Sequence, residues 1–144
     1  MAGEKRIVVG VDGSEVSMRA LEWAVGQCRL TGARLRAVTA WQLPVVYGYP
    51  VPFPEGYDPA AEAERALAAA VGTALGSSPD IEVDRVVGEG PAAQLLIEQS
   101  KDADLLVVGS RGHGAFAGML LGSVSEHCVR HATCPVLVVR DEGP

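Results

Sequence analysis

The chain has 144 residues, the length of one ordinary domain, with 12 lysines and arginines against 18 aspartates and glutamates and a formal net charge of −6. That acidic balance argues against general nucleic-acid binding and against adhesion to anionic membranes, because both depend on a basic surface. A composition of 48% hydrophobic and 21% charged residues excludes a disordered or collagen-like chain, while the 17 glycines exceed the usual share of about 7%.

Short apolar runs alternate with longer amphipathic stretches, a pattern typical of strand–helix units around a parallel sheet. Most of the predicted strands are almost wholly apolar, as expected where helices cover both faces of a sheet. The third strand alternates apolar and acidic residues, which predicts a half-exposed strand at a sheet edge. The five predicted strands span residues 6–11, 34–41, 81–87, 105–109 and 136–139.

Four helices are predicted from apolar stripes and from start signals. Asp58-Pro59 supplies an N-cap and a first-turn proline for the second helix. The fourth helix begins at Ser123, and Ser123-Val-Ser-Glu126 has the spacing of a capping box. The first three helices are predicted at residues 17–30, 59–75 and 91–103, and the stripe of the first comprises Leu21, Ala24, Val25 and Cys28.

Residues 42–57 interrupt this order with a segment too rich in proline to continue a strand or a helix. The segment carries four of the seven aromatic residues of the chain. There is no internal repeat and no second core, so residues 1–144 are predicted to form a single domain with an ordered loop at 42–57. A hydrophobic loop packed over the sheet is favoured over a ligand lid or a partner surface.

The glycine excess is concentrated between the buried fourth strand and the fourth helix. In an open parallel sheet, ligands bind at the carboxyl ends of the strands, and glycines let backbone N–H groups approach an anion closely. The helix that starts at Ser123 adds unpaired N–H groups, with the Ser123 and Ser125 hydroxyls as further donors. The sequence therefore predicts a phosphate site built from local donors rather than from net charge. The five glycines are Gly109, Gly112, Gly114, Gly118 and Gly122.

The end of the first strand, Val11-Asp12-Gly13-Ser14, supplies a second wall for this crevice. Two roles are open for Asp12, and they can coexist. Asp12 could be the N-cap of the first helix, with Glu15 three residues further on. Its carboxylate could also accept a hydrogen bond from a ribose hydroxyl or hold a metal ion beside the phosphates.

Other nucleotide-binding signatures are absent from the sequence. There is no GxxxxGK[ST] loop, and the chain after the first strand reads Gly10-Val-Asp-Gly13 instead of GxGxxG. P-loop NTPases and ordinary NAD dehydrogenases are therefore poor matches. A response-regulator receiver is excluded because the expected acidic pair, strand-three aspartate and strand-five lysine are missing.

The segment Gly109-Ser-Arg-Gly112, followed by nine residues and then Gly122-Ser123, is the G-2x-G-9x-G-[ST] pattern of the ATP-binding branch of the universal stress protein family. The chain resembles this family over its whole length. The resemblance includes IVVGVDGS at the first strand, VGEGP before the third helix, LLVVGSRG at the fourth strand and TCPVLVVR at the end.

The resemblance implies a doubly wound α/β fold of the adenine nucleotide alpha hydrolase-like type. Its single open sheet would have five parallel strands in the order 3-2-1-4-5, flanked by four helices. ATP would bind between strands one and four with a divalent metal, Mg²⁺ or Mn²⁺. The implied homodimer would pair through the fifth strand and cover the apolar VLVV edge.

The implied site follows residue by residue. Asp12 would meet the ribose or the metal, Ala40 would offer backbone groups to adenine, and Arg111 could contact the outer phosphates. Val108 and Gly109 would line the base and ribose, and the remaining residues would hold the phosphates. The full set is Val11, Asp12, Gly13, Ala40, Val108, Gly109, Arg111, Gly112, Gly122, Ser123, Val124 and Ser125, with Asp12 also the metal ligand.

The other candidate groups point to structural roles. His127 and His131 stand four residues apart in HCVRH, without the zincin glutamate or an evident third ligand, so a solvated or dimer-facing helix surface is favoured. Cys28 and Cys128 lie on apolar stripes and are predicted to fill the core. Three cysteines without a C-x-x-C pair, no apolar run of membrane-spanning length and no signal peptide predict a cytoplasmic protein.

Taken together, these patterns predict an ATP-binding stress-response regulatory protein that acts on an unidentified downstream protein partner. No general base is evident, so at most weak ATP hydrolysis is expected. The alternatives are a slow ATPase or autophosphorylating enzyme, which would need Arg111, His113 or Ser125 near the terminal phosphate, and a sensor of AMP or another adenylyl nucleotide.

Overall fold

Strands and helices alternate in the computed structural model, which describes residues 4–43, 45–111 and 121–140. Five of the strands and four helices form the body of the fold, and two very short strands form a separate hairpin. The elements are β1 (Arg6–Gly10), α1 (Glu15–Thr31), β2 (Arg34–Trp41), β3 (Val45–Val46), β4 (Tyr49–Pro50), α2 (Pro59–Leu75), β5 (Val83–Glu89), α3 (Ala92–Gln99), β6 (Leu105–Gly109), α4 (Ser123–His131) and β7 (Val136–Val139).

The main sheet has the strand order β5-β2-β1-β6-β7, and every neighbouring pair is parallel. This confirms the expected order 3-2-1-4-5 and the edge position of the third main strand. The chain starts at the centre with β1, continues outward through β2 and β5, and then returns to build β6 and β7 on the other side. The direction therefore reverses between β1 and β6, the position at which open α/β sheets have a ligand-binding crevice at the carboxyl ends of their strands.

Side chains from the two faces of the sheet form two cores. Ile7 and Val9 on β1 point into the core beneath α1 and α2, together with Leu21. Val8, between them in the sequence, points into the core beneath α3 and α4, together with Leu106. The period-two alternation of β1 therefore fills both cores, as its continuous apolar sequence predicts.

The sequence placed several boundaries wrongly. The first strand ends at Gly10 instead of residue 11, and the third main strand is Val83–Glu89 instead of 81–87 because its pairing with β2 fixes its ends. The first helix runs from Glu15 to Thr31 instead of 17–30. The third helix is Ala92–Gln99 instead of 91–103, because tighter turns through Ser100 end it early.

The second helix agrees with its prediction at both ends. Asp58 caps it, since its Oδ1 accepts hydrogen bonds from the N–H groups of Ala60 at 3.1 Å and Ala61 at 3.2 Å. Pro59 occupies the first helical position, where the missing N–H group has no intrahelical partner to lose.

Residues 42–57 contain a short hairpin where the sequence predicted no strand. β3 and β4 pair antiparallel around Tyr47 and Gly48, whose φ angles are 52° and 81°. Positive φ at both turn residues is typical of a type I′ turn, whose twist matches that of the flanking strands. Tyr47 is 95% exposed and Tyr49 is 76% exposed, so the interpretation of this segment as packed over the sheet is wrong for these rings.

Ion pairs occupy the opposite, amino-terminal edge of the sheet. Asp102 pairs with Arg6 and with Arg36, whose Nη1 lies 3.1 Å from Asp102 Oδ1. Burial raises the pKa of Asp102, but the guanidinium groups of Arg36 and Arg6 outweigh it and hold the pKa below its ordinary value. The one carboxylate of Asp102 therefore bridges the two guanidinium groups at this edge.

Candidate functional site

The crevice begins at the carboxyl end of β1. The register pairs Val9 of β1 with Val107 of β6, so the residues that follow the two strands continue side by side. The backbone of Val11 is fixed by neighbouring β2, because its N–H donates to Val38 O at 2.9 Å and its carbonyl accepts from Thr39 Oγ1 at 2.8 Å. The chain therefore leaves β1 in a defined direction toward the crevice.

Asp12 occupies a turn immediately after this point. Its Oδ1 accepts hydrogen bonds from the Ser14 N–H at 2.9 Å and from Ser14 Oγ at 2.5 Å. Gly13 has a φ of 85°, a left-handed conformation that favours glycine. The turn holds the exposed carboxylate of Asp12 at the mouth of the crevice.

The predicted role of Asp12 as a helix cap is wrong. The N-cap of α1 is Ser14, whose Oγ accepts a hydrogen bond from the N–H of Ser17 at 3.2 Å. Asp12 instead orients that cap, because it accepts from the Ser14 hydroxyl. The structure thus excludes one of the two roles considered for Asp12, that of the N-cap. The other role, contact with a ligand, stays a prediction.

Gly109, the last residue of β6, permits a close approach of α1. A β-carbon at this position would lie 3.0 Å from Val16 Cγ1 and 3.3 Å from the Val16 carbonyl carbon. Gly10 at the end of β1 has the same relation to α3 on the other face, where a β-carbon would lie 2.9 Å from Leu96 Cδ1. The sequence indicated only ligand contact for Gly109, whereas the structure adds a packing role.

Replacing Gly109 with alanine is expected to destabilise the protein by about 1–3 kcal/mol, because Val16 and the backbone of α1 must shift. Gly72→Ala is the matched control. Nothing lies within 4 Å of a β-carbon at Gly72, which is inside α2, so alanine should stabilise by about 0.5–1 kcal/mol. Urea unfolding measures the change in the free energy of unfolding of both variants. An unchanged free energy of unfolding for Gly109→Ala would contradict the packing role.

The other wall of the crevice is the start of α4. The N-cap is Gly122, with φ −74° and ψ 170°, and no side chain caps the helix within the described part of the chain. The capping-box prediction at Ser123 and Glu126 is therefore wrong. Ser123 is already helical, and Glu126 Oε1 instead pairs with Arg130 Nη2 at 3.1 Å. Among the described residues, no side chain caps the first N–H groups of α4, which are donors of the kind that bind an anion. α3 also begins without a side-chain cap, at Pro91, whereas α1 and α2 are capped by side chains.

Ser110 joins the two ends of the glycine-rich segment. Its carbonyl accepts hydrogen bonds from the Gly122 N–H at 2.6 Å and from Ser125 Oγ at 3.0 Å. Its own N–H donates to Val139 O at 2.7 Å, which ties the arrangement to β7. We call these three hydrogen bonds the Ser110 clasp. The clasp brings the end of β6 directly against the start of α4.

Ser125 contributes to the clasp and not to the crevice surface. Its side chain is buried, and its hydroxyl lies 3.0 Å from Ser110 O and 3.1 Å from Gly122 O. The single hydroxyl hydrogen is used within the protein, so the predicted role of this hydroxyl as a phosphate donor is wrong. Ser123, by contrast, is exposed, and its hydroxyl makes no such hydrogen bond within the part of the chain that the structure describes.

Ser125→Ala is expected to destabilise the protein by about 1 kcal/mol, because it removes one buried hydrogen-bond donor while both carbonyls keep a backbone partner. Ser123→Ala serves as the control at the neighbouring exposed serine and should change stability by less than about 0.5 kcal/mol. Urea unfolding distinguishes them. Equal effects of the two substitutions would contradict the assignment of Ser125 to the clasp.

The remaining predicted residues lie around these walls. Val108 is buried in the core beneath α3 and α4, and Val124 packs against that core, so only their backbone groups can reach a ligand. Ala40 lies near the carboxyl end of β2, opposite Gly88 of β5. Arg111 is half-buried and is the first cation after β6. Gly112, His113, Gly114 and Gly118 lie outside the described residues.

The donor set restricts the metal that this crevice could hold. Within the described ranges, no three histidine, cysteine, aspartate or glutamate residues are grouped to bind a metal. A single carboxylate, Asp12, suits Mg²⁺ only where phosphate oxygens and water supply the other ligands. The residues therefore match a metal that arrives with a nucleotide and not a metal held by protein alone.

Cys28 and Cys128 fill the core, as predicted. Cys28 and Cys128 are fully buried, and burial raises the pKa of each thiol to about 11. Neither thiol forms the nucleophilic thiolate at neutral pH. Cys134 is half-buried, and burial also raises its pKa.

The fold and the geometry of these residues define a doubly wound α/β protein in which α4 begins beside the topological switch point. The model of the universal stress protein family matches residues 4–140, and the chain belongs to this family. No helix in the part of the chain that the structure describes combines the length and apolar character needed to cross a membrane.

Individual relatives agree with this assignment. A universal stress protein of Mycobacterium tuberculosis is 40% identical over 137 residues, covering 93% of this chain and 45% of the relative. The chain thus spans about half the length of the curated relatives it matches. A universal stress protein solved in complex with cAMP is 29% identical, with a TM-score of 0.67 and coverage of 96% of this chain and 98% of that one.

A more distant solved structure shows the fold alone. It is a universal stress family protein of Arabidopsis thaliana with AMP bound, 20% identical, with a TM-score of 0.57 and coverage of 96% of this chain and 93% of that one.

Proposed function

We propose that this chain binds an adenine nucleotide, ATP with Mg²⁺ or Mn²⁺, in the crevice between β1 and β6, and that it acts as a single regulatory domain in a stress response. The observation that carries the proposal is the start of α4. This helix terminus has no side-chain cap and is held by the Ser110 clasp beside the strand ends where doubly wound proteins bind ligands. The similarity to a family member in complex with cAMP supports an adenine nucleotide.

The phosphates are assigned to the start of α4. The backbone N–H groups of Ser123, Val124 and Ser125 belong to the first turn, where no intrahelical acceptor exists. The helix dipole adds a partial positive charge at the same place. Arg111 supplies a side-chain cation nearby in sequence, so a chain of net charge −6 can still hold a polyanion.

The nucleoside is assigned to the ends of β1, β2 and β6. Asp12 is oriented by its hydrogen bonds with Ser14 and can accept from a ribose hydroxyl. Val11 directly follows β1 and Ala40 lies on neighbouring β2, and their backbone groups are assigned to contacts with the base. Gly13, Val108 and Gly109 leave space without presenting a side chain to the ligand.

Asp12 would also be the protein ligand of the metal. A divalent cation bound there neutralises phosphate charge and brings nucleotide oxygens and water as its other ligands. One carboxylate at the mouth of the crevice is enough for this arrangement, because Mg²⁺ commonly retains several waters.

The hydrogen bonding of the Ser125 hydroxyl favours a regulatory role over a catalytic one. Ser125, one of three candidates for chemistry at the terminal phosphate, uses its hydroxyl in the Ser110 clasp. An autophosphorylating serine at this position would have to break two buried contacts. At most slow hydrolysis is therefore expected. A sensor of AMP or a cyclic adenylyl nucleotide is the second candidate, which the cAMP complex of the related protein favours.

Assembly and location are parts of the same proposal. β7 is an edge strand whose four residues are only half-buried, and pairing with a second copy would cover its apolar sequence. We therefore propose a homodimer through β7 that signals to a downstream protein partner. The three free cysteines match a reducing cytoplasm.

Mass spectrometry of small molecules released from purified and denatured protein tests the choice of ligand. ATP at a substantial fraction of the protein concentration supports the first candidate, and AMP or cAMP supports the second. Asp12→Ala, purified in parallel, should retain less nucleotide. If no adenine nucleotide is recovered or taken up by the wild-type protein, the proposed function is wrong.

A further inference from the structure

The exposed face of α4 carries two histidines on successive turns. His127 and His131 are both exposed, and their ring centroids lie 4.6 Å apart with the planes tilted by 45°. We propose that these two imidazoles form a site for a divalent transition-metal cation of the Zn²⁺, Ni²⁺ and Cu²⁺ class. The site is separate from the crevice and does not depend on the proposed nucleotide.

Helical geometry places the two rings for chelation. Residues four apart face each other on an α-helix, and both histidines lie within α4. The Ala132 N–H donates to Cys128 O at 2.9 Å, so the last turn that carries His131 is closed. Two nitrogens bound to one tetrahedral metal at about 2.1 Å lie roughly 3.4 Å apart. The ring centroids lie 4.6 Å apart, close enough for one nitrogen of each ring to be directed at a shared metal.

The local charges permit a cation. Arg130 lies between the two histidines in sequence, but its guanidinium pairs with Glu126 Oε1 at 3.1 Å, which balances its charge. The site also lies in the last turn of α4, where the helix dipole favours positive charge. The two histidine rings are already in contact, so binding a metal costs little side-chain conformational entropy.

The ligand type determines the metal. Imidazole nitrogen binds Zn²⁺, Ni²⁺ and Cu²⁺, whereas Mg²⁺ prefers the oxygen ligands present at Asp12. Cys28 and Cys128 are fully buried and do not compete for the metal, and burial raises the pKa of the half-buried Cys134 thiol, which disfavours the thiolate that a metal binds. Two protein ligands, with water in the other positions, define an exchangeable site and not a structural zinc centre.

Calorimetric titration of the nucleotide-free full chain with NiCl₂ tests this site. We expect one equivalent of Ni²⁺ to bind saturably, and excess Mg²⁺ should not displace it. His127→Gln and His131→Gln should each weaken binding by about tenfold or more. His113→Gln, which removes the third histidine of the chain, should leave the affinity unchanged.

Nuclear magnetic resonance of the imidazole protons gives an independent readout, because paramagnetic Ni²⁺ should broaden the signals of His127 and His131 first. Both residues are exposed, so their glutamine variants should keep the wild-type circular dichroism spectrum. The proposal is wrong if Ni²⁺ does not saturate the wild type at millimolar concentration, or if the two glutamine variants bind Ni²⁺ as tightly as the wild type.

Discussion

Gly122→Val is expected to weaken Mg-ATP binding by about a hundredfold or more, equivalent to about 2.7 kcal/mol. Gly122 is buried, and its backbone carries much of the site. Its N–H donates to Ser110 O at 2.6 Å, and its carbonyl accepts from the Glu126 N–H at 2.9 Å and lies 3.1 Å from Ser125 Oγ. Because Gly122 is buried, we expect an isopropyl group at this N-cap to disturb the clasp or to occupy the space before the helix terminus.

Gly26→Val is the matched control for this substitution. Gly26 lies in α1, and nothing lies within 4 Å of a β-carbon placed there, so valine should leave the nucleotide affinity unchanged. Calorimetric titration measures the affinity of both variants, and circular dichroism confirms that each is folded. A folded Gly122→Val protein with wild-type affinity would show that the start of α4 does not hold the phosphates.

Leu21→Ala is expected to destabilise the protein by about 2–5 kcal/mol, the usual cost of deleting a leucine side chain from a packed core. Leu21 is 0% exposed and packs in the core beneath α1 and α2. The loss is a large share of the total stability of a domain this size, so partial unfolding at physiological temperature is expected.

Leu30→Ala makes the same change in the same helix at a residue that is 83% exposed. Its expected effect is less than about 0.5 kcal/mol. Urea unfolding at one temperature compares the two variants directly. If the free energies of unfolding of Leu21→Ala and Leu30→Ala fell by similar amounts, the assignment of the α1 stripe to the core would be wrong.

The fold could be predicted where a local pattern and tertiary burial agree. β2, β6 and β7 begin and end at the predicted residues. For β6 and β7 the reason is that an apolar run bounded by polar or turn residues leaves one choice of strand. The third main strand was displaced by two residues, since its alternation indicates exposure but only pairing with β2 fixes its ends. The hairpin around Tyr47 was missed, because its strands have only two residues each and one includes Pro50.

The sequence indicated where the candidate site would lie, but it did not indicate the contacts of each side chain there. Asp12 and Gly122 were found from their position after a strand and before a helix. The spacing of Ser123 and Glu126 suggested a capping box, but Gly122 has the extended backbone of the true N-cap. Sequence patterns also missed Ser110, because the partners of its carbonyl are more than ten residues away along the chain.

Gly109 is a second residue whose role the motif alone does not reveal, because that role depends on packing. Gly109 belongs to the glycine pattern, yet its closest neighbour is Val16, which is distant in sequence and comes near only when α1 folds onto β6. A local spacing rule cannot distinguish a glycine needed by a ligand from a glycine needed by a helix. At Gly109 the structure gives a packing reason that holds with or without nucleotide.

Titration of the nucleotide-free wild-type protein with Mg-ATP by calorimetry tests the central claim most directly. The account predicts saturable binding of one nucleotide per chain, weakened by Gly122→Val and retained by Gly26→Val. Competition titrations with AMP and cAMP in the same calorimeter rank the affinities of the three adenine nucleotides. The absence of saturable binding of any of the three nucleotides at millimolar concentration would contradict the assignment of the crevice between β1 and β6 to an adenine nucleotide.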